Sequence, residues 1–139
     1  MENKKNRFQL QSCVWEITLA CCFSCKYCGS KAGKARENEM TTEECIRVAK
    51  QLADIGCRRV SMIGGEVFMR PDWTVIAEAL TKRGVNVSII TNGFAFRDEL
   101  ISELKRVKIE SIAVSLDGPE RIHDAFRQRG SFRRAIHAV

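Results

Sequence analysis

Cys21, Cys25 and Cys28 are spaced C-x3-C-x2-C, and Cys22 stands beside the first of them. A tight loop at that spacing can aim three thiolates at one centre. Thiolates select soft metals: zinc, copper(I) or iron–sulfur clusters. Three protein ligands on a four-iron cluster leave one iron open to a small molecule. With Cys22 as a fourth ligand the same loop could hold zinc instead. Spacing alone leaves both open. The chain has seven cysteines in 139 residues. An odd number cannot all pair internally, and a reducing compartment argues against a disulfide framework, so metal binding is the first reading.

The remaining pattern says what positions this loop. Short β-rich runs cover Val14 to Leu19, Arg59 to Ile63, Asn86 to Thr91 and Ser111 to Leu116. Their nearly continuous apolar character fits parallel strands covered on both sides. Helices alternate with them. Thr41 and Glu44 form a capping box ahead of a stripe of Cys45, Val48, Ala49, Leu52 and Ile55, with Gly56 closing the helix. A second helix opens near Pro71 or Asp72, buries Trp73, Ile76, Ala77 and Leu80, and ends at Gly84. A third opens near Asp98 with Leu100, Ile101, Leu104 and Val107 inward. A fourth starts near Ser131. Alternating strands and helices predict an α/β fold built on a parallel sheet.

Each strand is followed at its carboxyl end by an unusual sequence: the cysteine run 21–28, Gly64-Gly65-Glu66, Thr91-Asn92-Gly93 and Ser115-Leu116-Asp117-Gly118. Parallel α/β sheets bind ligands at that edge, so the four segments converge on one site. About 20 residues separate the first strand from its helix, a length typical of functional loops.

Composition narrows the class. The hydrophobic fraction of 45% suits a folded globular chain. No apolar run approaches the roughly 18 residues of a membrane span. The N-terminus, MENKKNRFQL, has no apolar segment typical of a signal peptide, which makes the cytoplasm the expected location. The net charge of +6 is compatible with an anionic partner. No recognised motif accompanies it, so nucleic-acid binding is not expected as the main role.

The cysteine spacing together with the three later segments resembles the radical S-adenosylmethionine (SAM) superfamily. The stretch from His123 through Arg127 to Gly130-Ser131-Phe132 resembles its peptide- and protein-modifying maturases, the SPASM subgroup. The resemblance implies a partial TIM-type barrel with residues 1–12 as an extension and 13–139 as the N-terminal part of the core domain. It implies one [4Fe–4S] cluster held by Cys21, Cys25 and Cys28, with SAM chelating the fourth iron. A one-electron donor, reductive cleavage to a 5′-deoxyadenosyl radical and a peptide or protein substrate follow from the same resemblance. The competing class is a non-catalytic zinc or iron–sulfur module.

Cofactor-binding roles fall on Tyr27, Gly64, Gly65, Glu66, Asn92, Ser115 and Arg127. Tyr27 would lie near the adenine. Gly64 and Gly65 would let the backbone approach the ligand and accept from its ammonium, with Glu66 adding negative charge. Asn92 and Ser115 would hold the ribose or methionine moiety. Arg127 would fork onto the cofactor carboxylate, or else be an ordinary solvated arginine. Asp117 reads as a cap on the turn at Gly118, and His123 as structural. Cys13, Cys45 and Cys57 read as small hydrophobes. Family members have six strand–helix units, whereas four are legible here and the chain stops within a helix at Ile136–Val139. The expectation is therefore a truncated chain that binds cofactor weakly and can associate through the open edge of its fourth strand.

Overall fold

The computed structural model describes residues 9–139; the first eight residues of the expected N-terminal extension lie outside them. The elements are β1 (Ser12–Glu16), α1 (Thr42–Asp54), β2 (Arg59–Ile63), a 3-10 turn (Val67–Met69), α2 (Trp73–Thr81), β3 (Asn86–Thr91), α3 (Asp98–Arg106), β4 (Ser111–Val114), α4 (Glu120–Phe126) and α5 (Ser131–His137). The strands form one parallel sheet in the order β1-β2-β3-β4. Consecutive strands are neighbours, as βαβ units require.

Register places Trp15, Met62, Ile89 and Ile112 in one row across the sheet, with Cys13, Val60 and Val87 in the next. These rows meet Cys45 and Ala49 of α1, Trp73, Ile76 and Leu80 of α2, and Leu100 and Leu104 of α3 in a single core. The alternate residues face away. Val14 is 67% exposed and Ile90 42%, and Ser61 and Ser88 share a hydroxyl hydrogen bond of 2.9 Å. The strands are thus covered on one face only, not on both as expected from their apolar character. In barrels that second face is filled by side chains of the remaining strands. Among the described residues β4 has no neighbour on its outer edge.

α1 starts as the capping box dictates. The Thr41 hydroxyl accepts from Glu44 N, and the Glu44 carboxylate accepts from Thr41 N at 2.8 Å. Two residues assigned to apolar stripes are exposed. Ile55 is the C-cap beyond the last turn of α1, and Ile101 lies about 100° around α3 from buried Leu100. β1 and β4 are both shorter than the apolar runs. Ile17 N still donates to Ile63 O of β2, and Ser115 N to Thr91 O of β3. Beyond Ile17, the side chain of Glu39 takes over from the sheet: its carboxylate accepts from Leu19 N at 2.7 Å and from the Thr18 hydroxyl at 3.0 Å. α4 and the 3-10 turn had no legible apolar period at their short lengths.

Candidate functional site

The cysteine loop is held at both ends. Cys21 N donates to Gly33 O and Gly33 N to Leu19 O, each at 2.9 Å, which closes the loop at its neck. Glu39 fixes the chain just before Cys21. Buried Arg70 backs Glu39 at 4.0 Å, and donates to Ile17 O at 2.7 Å and to Met40 O at 2.8 Å while pairing with Asp72. One guanidinium therefore joins both sides of the loop to the start of α2.

The β2 end is keyed into this loop. Gly65 N donates to Thr18 O and Glu66 N to Ala20 O, at 2.8 and 2.7 Å. A Cβ on Gly65 would lie 2.4 Å from Ala20 O, 2.6 Å from Leu19 O and 2.7 Å from Cys21 Cβ; one on Gly64 would lie 2.8 Å from Thr18 O. The glycines are needed here for the approach of the cysteine loop itself, a reason different from the close approach of a ligand.

Glu66 is 1% exposed. Its carboxylate accepts from the Thr91 hydroxyl at 2.9 and 3.0 Å, from Asn92 N at 2.8 Å and from Phe68 N at 3.3 Å. Burial pushes this carboxyl above its usual range, against those hydrogen bonds. The side chain joins the β2 end to the β3 end rather than offering charge to a ligand. Asn92 is in turn locked, its Oδ1 accepting from Phe94 N at 2.8 Å, with Gly93 at φ +81° making the turn. The Asn92 amide points to the Sγ atoms of Cys21 and Cys22, 3.8 and 3.6 Å away.

The four strand ends enclose a pocket of about 280 Å³ lined by Cys21, Phe23, Cys25, Tyr27, Cys28, Gly29, Ala32, Ile63, Gly64, Gly65, Ile90, Thr91, Asn92, Ser115 and Arg127. Every site residue named from the sequence lines it except Glu66. A hydrogen bond from Cys22 pulls the Cys21 thiol down; burial opposes this, the Phe23 N–H assists, Glu66 opposes, and the Asn92 amide assists. Cys21 is thereby disposed toward the thiolate that ligates metal. Cys25 is pushed up, first by burial, with Arg127 opposing. All seven cysteines are free thiols. Among the described residues no three Cys, His, Asp or Glu groups already converge on one metal-ion position. The donor set nonetheless fits an iron–sulfur cluster with one open iron: three thiols on a concave wall, glycine backbone beside them, and small polar groups opposite.

At the β4 end the arrangement departs from the sequence reading. Asp117 does not cap the Gly118 turn. Its carboxylate accepts from Tyr27 Oη at 2.5 Å and from both Nε and Nη2 of Arg127, at 2.5 and 3.0 Å. Arg127 therefore turns one edge of its fork to Asp117. That bond is the main cause holding the Asp117 carboxyl down to about 2, against burial and with help from Tyr27. Asp124, absent from the sequence reading, accepts from Gly130 N, Phe132 N and the Ser131 hydroxyl, and so builds the α4–α5 turn. Asp117 stands in the Ser115-Leu116-Asp117-Gly118 segment and Asp124 in the stretch from His123 to Phe132, but an isolated Asp carries no signal of its partner.

Residues 15–139 match the family model described as Radical SAM superfamily. The chain is 32% identical over 127 residues to the mycofactocin maturase MftC of Mycobacterium tuberculosis, covering 91% of this chain and 32% of that one. It is 30% identical over 129 residues to the sporulation killing factor maturation protein SkfB of Bacillus subtilis, covering 92% and 32%. It thus spans about a third of the length of these curated relatives. Among solved structures, Streptococcus suis SuiB bound to S-adenosylmethionine superposes with a TM-score of 0.79 at 20% identity, over 94% of this chain and 30% of that one. That likeness carries the fold alone. With the family match across its sheet, its cysteine loop and its C-terminal helices, the chain belongs to the radical SAM superfamily.

Proposed function

We propose that this chain is the cofactor-binding part of a radical SAM enzyme that modifies a peptide or protein. The observation that carries the reading is one pocket whose wall contains Cys21, Cys25 and Cys28 together with the Gly64-Gly65, Asn92 and Ser115 strand ends. The three thiols would hold a [4Fe–4S] cluster, leaving one iron for SAM. When bound, the pair supplies one-electron cleavage of the sulfonium and a radical that abstracts hydrogen from substrate.

The chain's own residues do the rest. Exposed carbonyls at Gly64 and Gly65 accept from the SAM ammonium. Ser115 and the Asn92 amide supply hydrogen bonds to its polar groups. Arg127 keeps the donors of its second edge for a carboxylate, since Nε and Nη2 already engage Asp117. Phe23, Ile63 and Ile90 make the apolar part of the wall and keep water from the reacting centre. Glu66 acts from behind, holding β2 against β3.

We take residues 13–139 as one core domain and place it in the cytoplasm, where seven free thiols are stable. A peptide substrate is in keeping with SuiB, one of whose structures is bound to the precursor peptide SuiA. A one-electron donor, and association through the β4 edge, belong to the same proposal. No helix of the described residues is long and apolar enough to cross a membrane.

Anaerobic reconstitution with iron and sulfide tests the reading. The expected result is four irons and four sulfides per chain, and an electron paramagnetic resonance (EPR) spectrum of the reduced cluster that changes on adding SAM. One zinc per chain and no response to SAM would favour the non-catalytic module instead.

A further inference from the structure

Asp117 does not line the pocket, yet it holds two residues that do. Tyr27 lies in the cysteine loop between two thiols, and Arg127 is the C-cap of α4. Tyr27 Oη and Arg127 Nε both donate to the same oxygen of the Asp117 carboxylate, Oδ2, and Arg127 Nη2 donates to the other. The same junction is reinforced around them. Lys26 N donates to Phe126 O at 2.9 Å. The Tyr27 ring meets the Phe126 ring edge-on at 5.8 Å, and the Arg127 guanidinium carbon sits 5.7 Å from the Tyr27 ring centre. Asp117 itself is tethered: its N–H donates to Nδ1 of His123 at 3.3 Å, and the His123 side chain is fully buried.

Exposed ion pairs usually contribute little. This one differs in three respects. The Arg127 side chain is 13% exposed and the Asp117 side chain 24%. The pair is bidentate, which fixes the plane of the guanidinium. The carboxylate also takes a third donor from a segment 90 residues away. Without Asp117, Arg127 would swing among its rotamers, and the cysteine loop would be tied to α4 only by the Lys26–Phe126 main-chain bond and ring contacts.

We propose that Asp117 is a positioning residue for this pocket, holding Tyr27 and Arg127 together in its wall without touching the ligand. The inference rests on the SAM-binding reading above. It makes Asp117 a determinant of cofactor affinity rather than of cluster ligation.

The test uses the full chain, reconstituted anaerobically, with Asp117→Asn and the conservative Asp117→Glu. Iron and sulfide content and the thermal midpoint report the cluster and the fold. SAM affinity is read by equilibrium dialysis and by the EPR change. Asp117→Asn is expected to keep the cluster and a single cooperative melt at a modestly lower midpoint while weakening SAM binding about tenfold, the usual scale for a supporting contact. Asp117→Glu is expected to recover part of that loss. Placed on an Arg127→Gln background, Asp117→Asn should add less than it costs alone. Tyr27 is the single tyrosine of the chain, so a tyrosine Cζ carbon-13 label gives one nuclear magnetic resonance signal without assignment. It should move on Asp117→Asn in the cluster-free protein. Unchanged SAM affinity, or a loss that only tracks unfolding and cluster loss, overturns the proposal. A wild-type chain that ignores SAM overturns the functional reading instead, while the Tyr27 signal still reports whether Asp117 holds the loop.

Discussion

The carboxylate of Glu39 accepts the backbone N–H of Leu19 at 2.7 Å, two residues ahead of Cys21. It also takes Arg36 N at 3.1 Å and the Thr18 hydroxyl at 3.0 Å, so a single side chain closes the base of the cysteine loop. Glu39→Ala would leave the Leu19 N–H without its partner. Its expected cost is about 1–3 kcal/mol, the range for orphaning a buried donor. Glu39→Gln keeps an acceptor and should lose less. Urea unfolding of both variants checks the order.

Gly65 and Gly33 make a matched pair for the close-packing argument. A Cβ at Gly65 meets backbone oxygens at 2.4 and 2.6 Å, whereas one at Gly33 meets nothing within 4 Å. Gly65→Ala is expected to destabilise by about 3 kcal/mol or more, because backbone cannot yield as a side chain can. Gly33→Ala should stay within about 0.5 kcal/mol. Thermal melts of the two proteins decide this without any cofactor.

The cysteines should divide cleanly by position. Cys25→Ala is expected to abolish the cluster, since the remaining pair cannot supply three ligands. Cys57→Ala should keep it: that thiol is 4% exposed in the core and donates to Arg59 O at 3.2 Å. Iron and sulfide analysis after reconstitution distinguishes the two.

Acid should loosen the β4 end in a defined window. Asp117 titrates near 3.8 when unconstrained, and is held down to about 2 chiefly by Arg127. The native chain therefore binds fewer protons than the unfolded one between those values. This contribution to stability is complete above the unfolded value and is lost as pH falls through about 2. Asp117→Asn should show a shallower fall in its urea midpoint across that window. Glu39 and Asp72 are also lowered, in each case despite burial, and act in the same direction in both proteins. Glu66 is raised by burial, so its contribution runs the other way and fades as pH rises.

Much of this architecture was legible in the residues. Arg59–Ile63 and Asn86–Thr91 have the bounds expected of them, because both are central strands flanked by strong breakers. The edge strands β1 and β4 came out shorter, since side chains such as Glu39 compete for the backbone beyond Ile17. One-sided coverage was not legible: a strand facing a barrel interior is as apolar as one sandwiched between helix layers. The pocket wall followed from topology, with four strand ends on one sheet edge. Glu66 and Asp117 did not. Each reads as a charge beside a glycine, and only tertiary packing makes one a buried tie between strands and the other a tie between Tyr27 and Arg127.

The keying of Gly64 and Gly65 into the backbone of 18–21 bears on protein engineering. The cysteine run looks like a portable peptide, short and self-contained. Its shape is instead moulded by a strand some forty residues downstream, as closely as a casting by its die. Grafting the run onto another scaffold would transfer the thiols without the surface that shapes them, so a working transplant must carry the glycine turn and its strand as well.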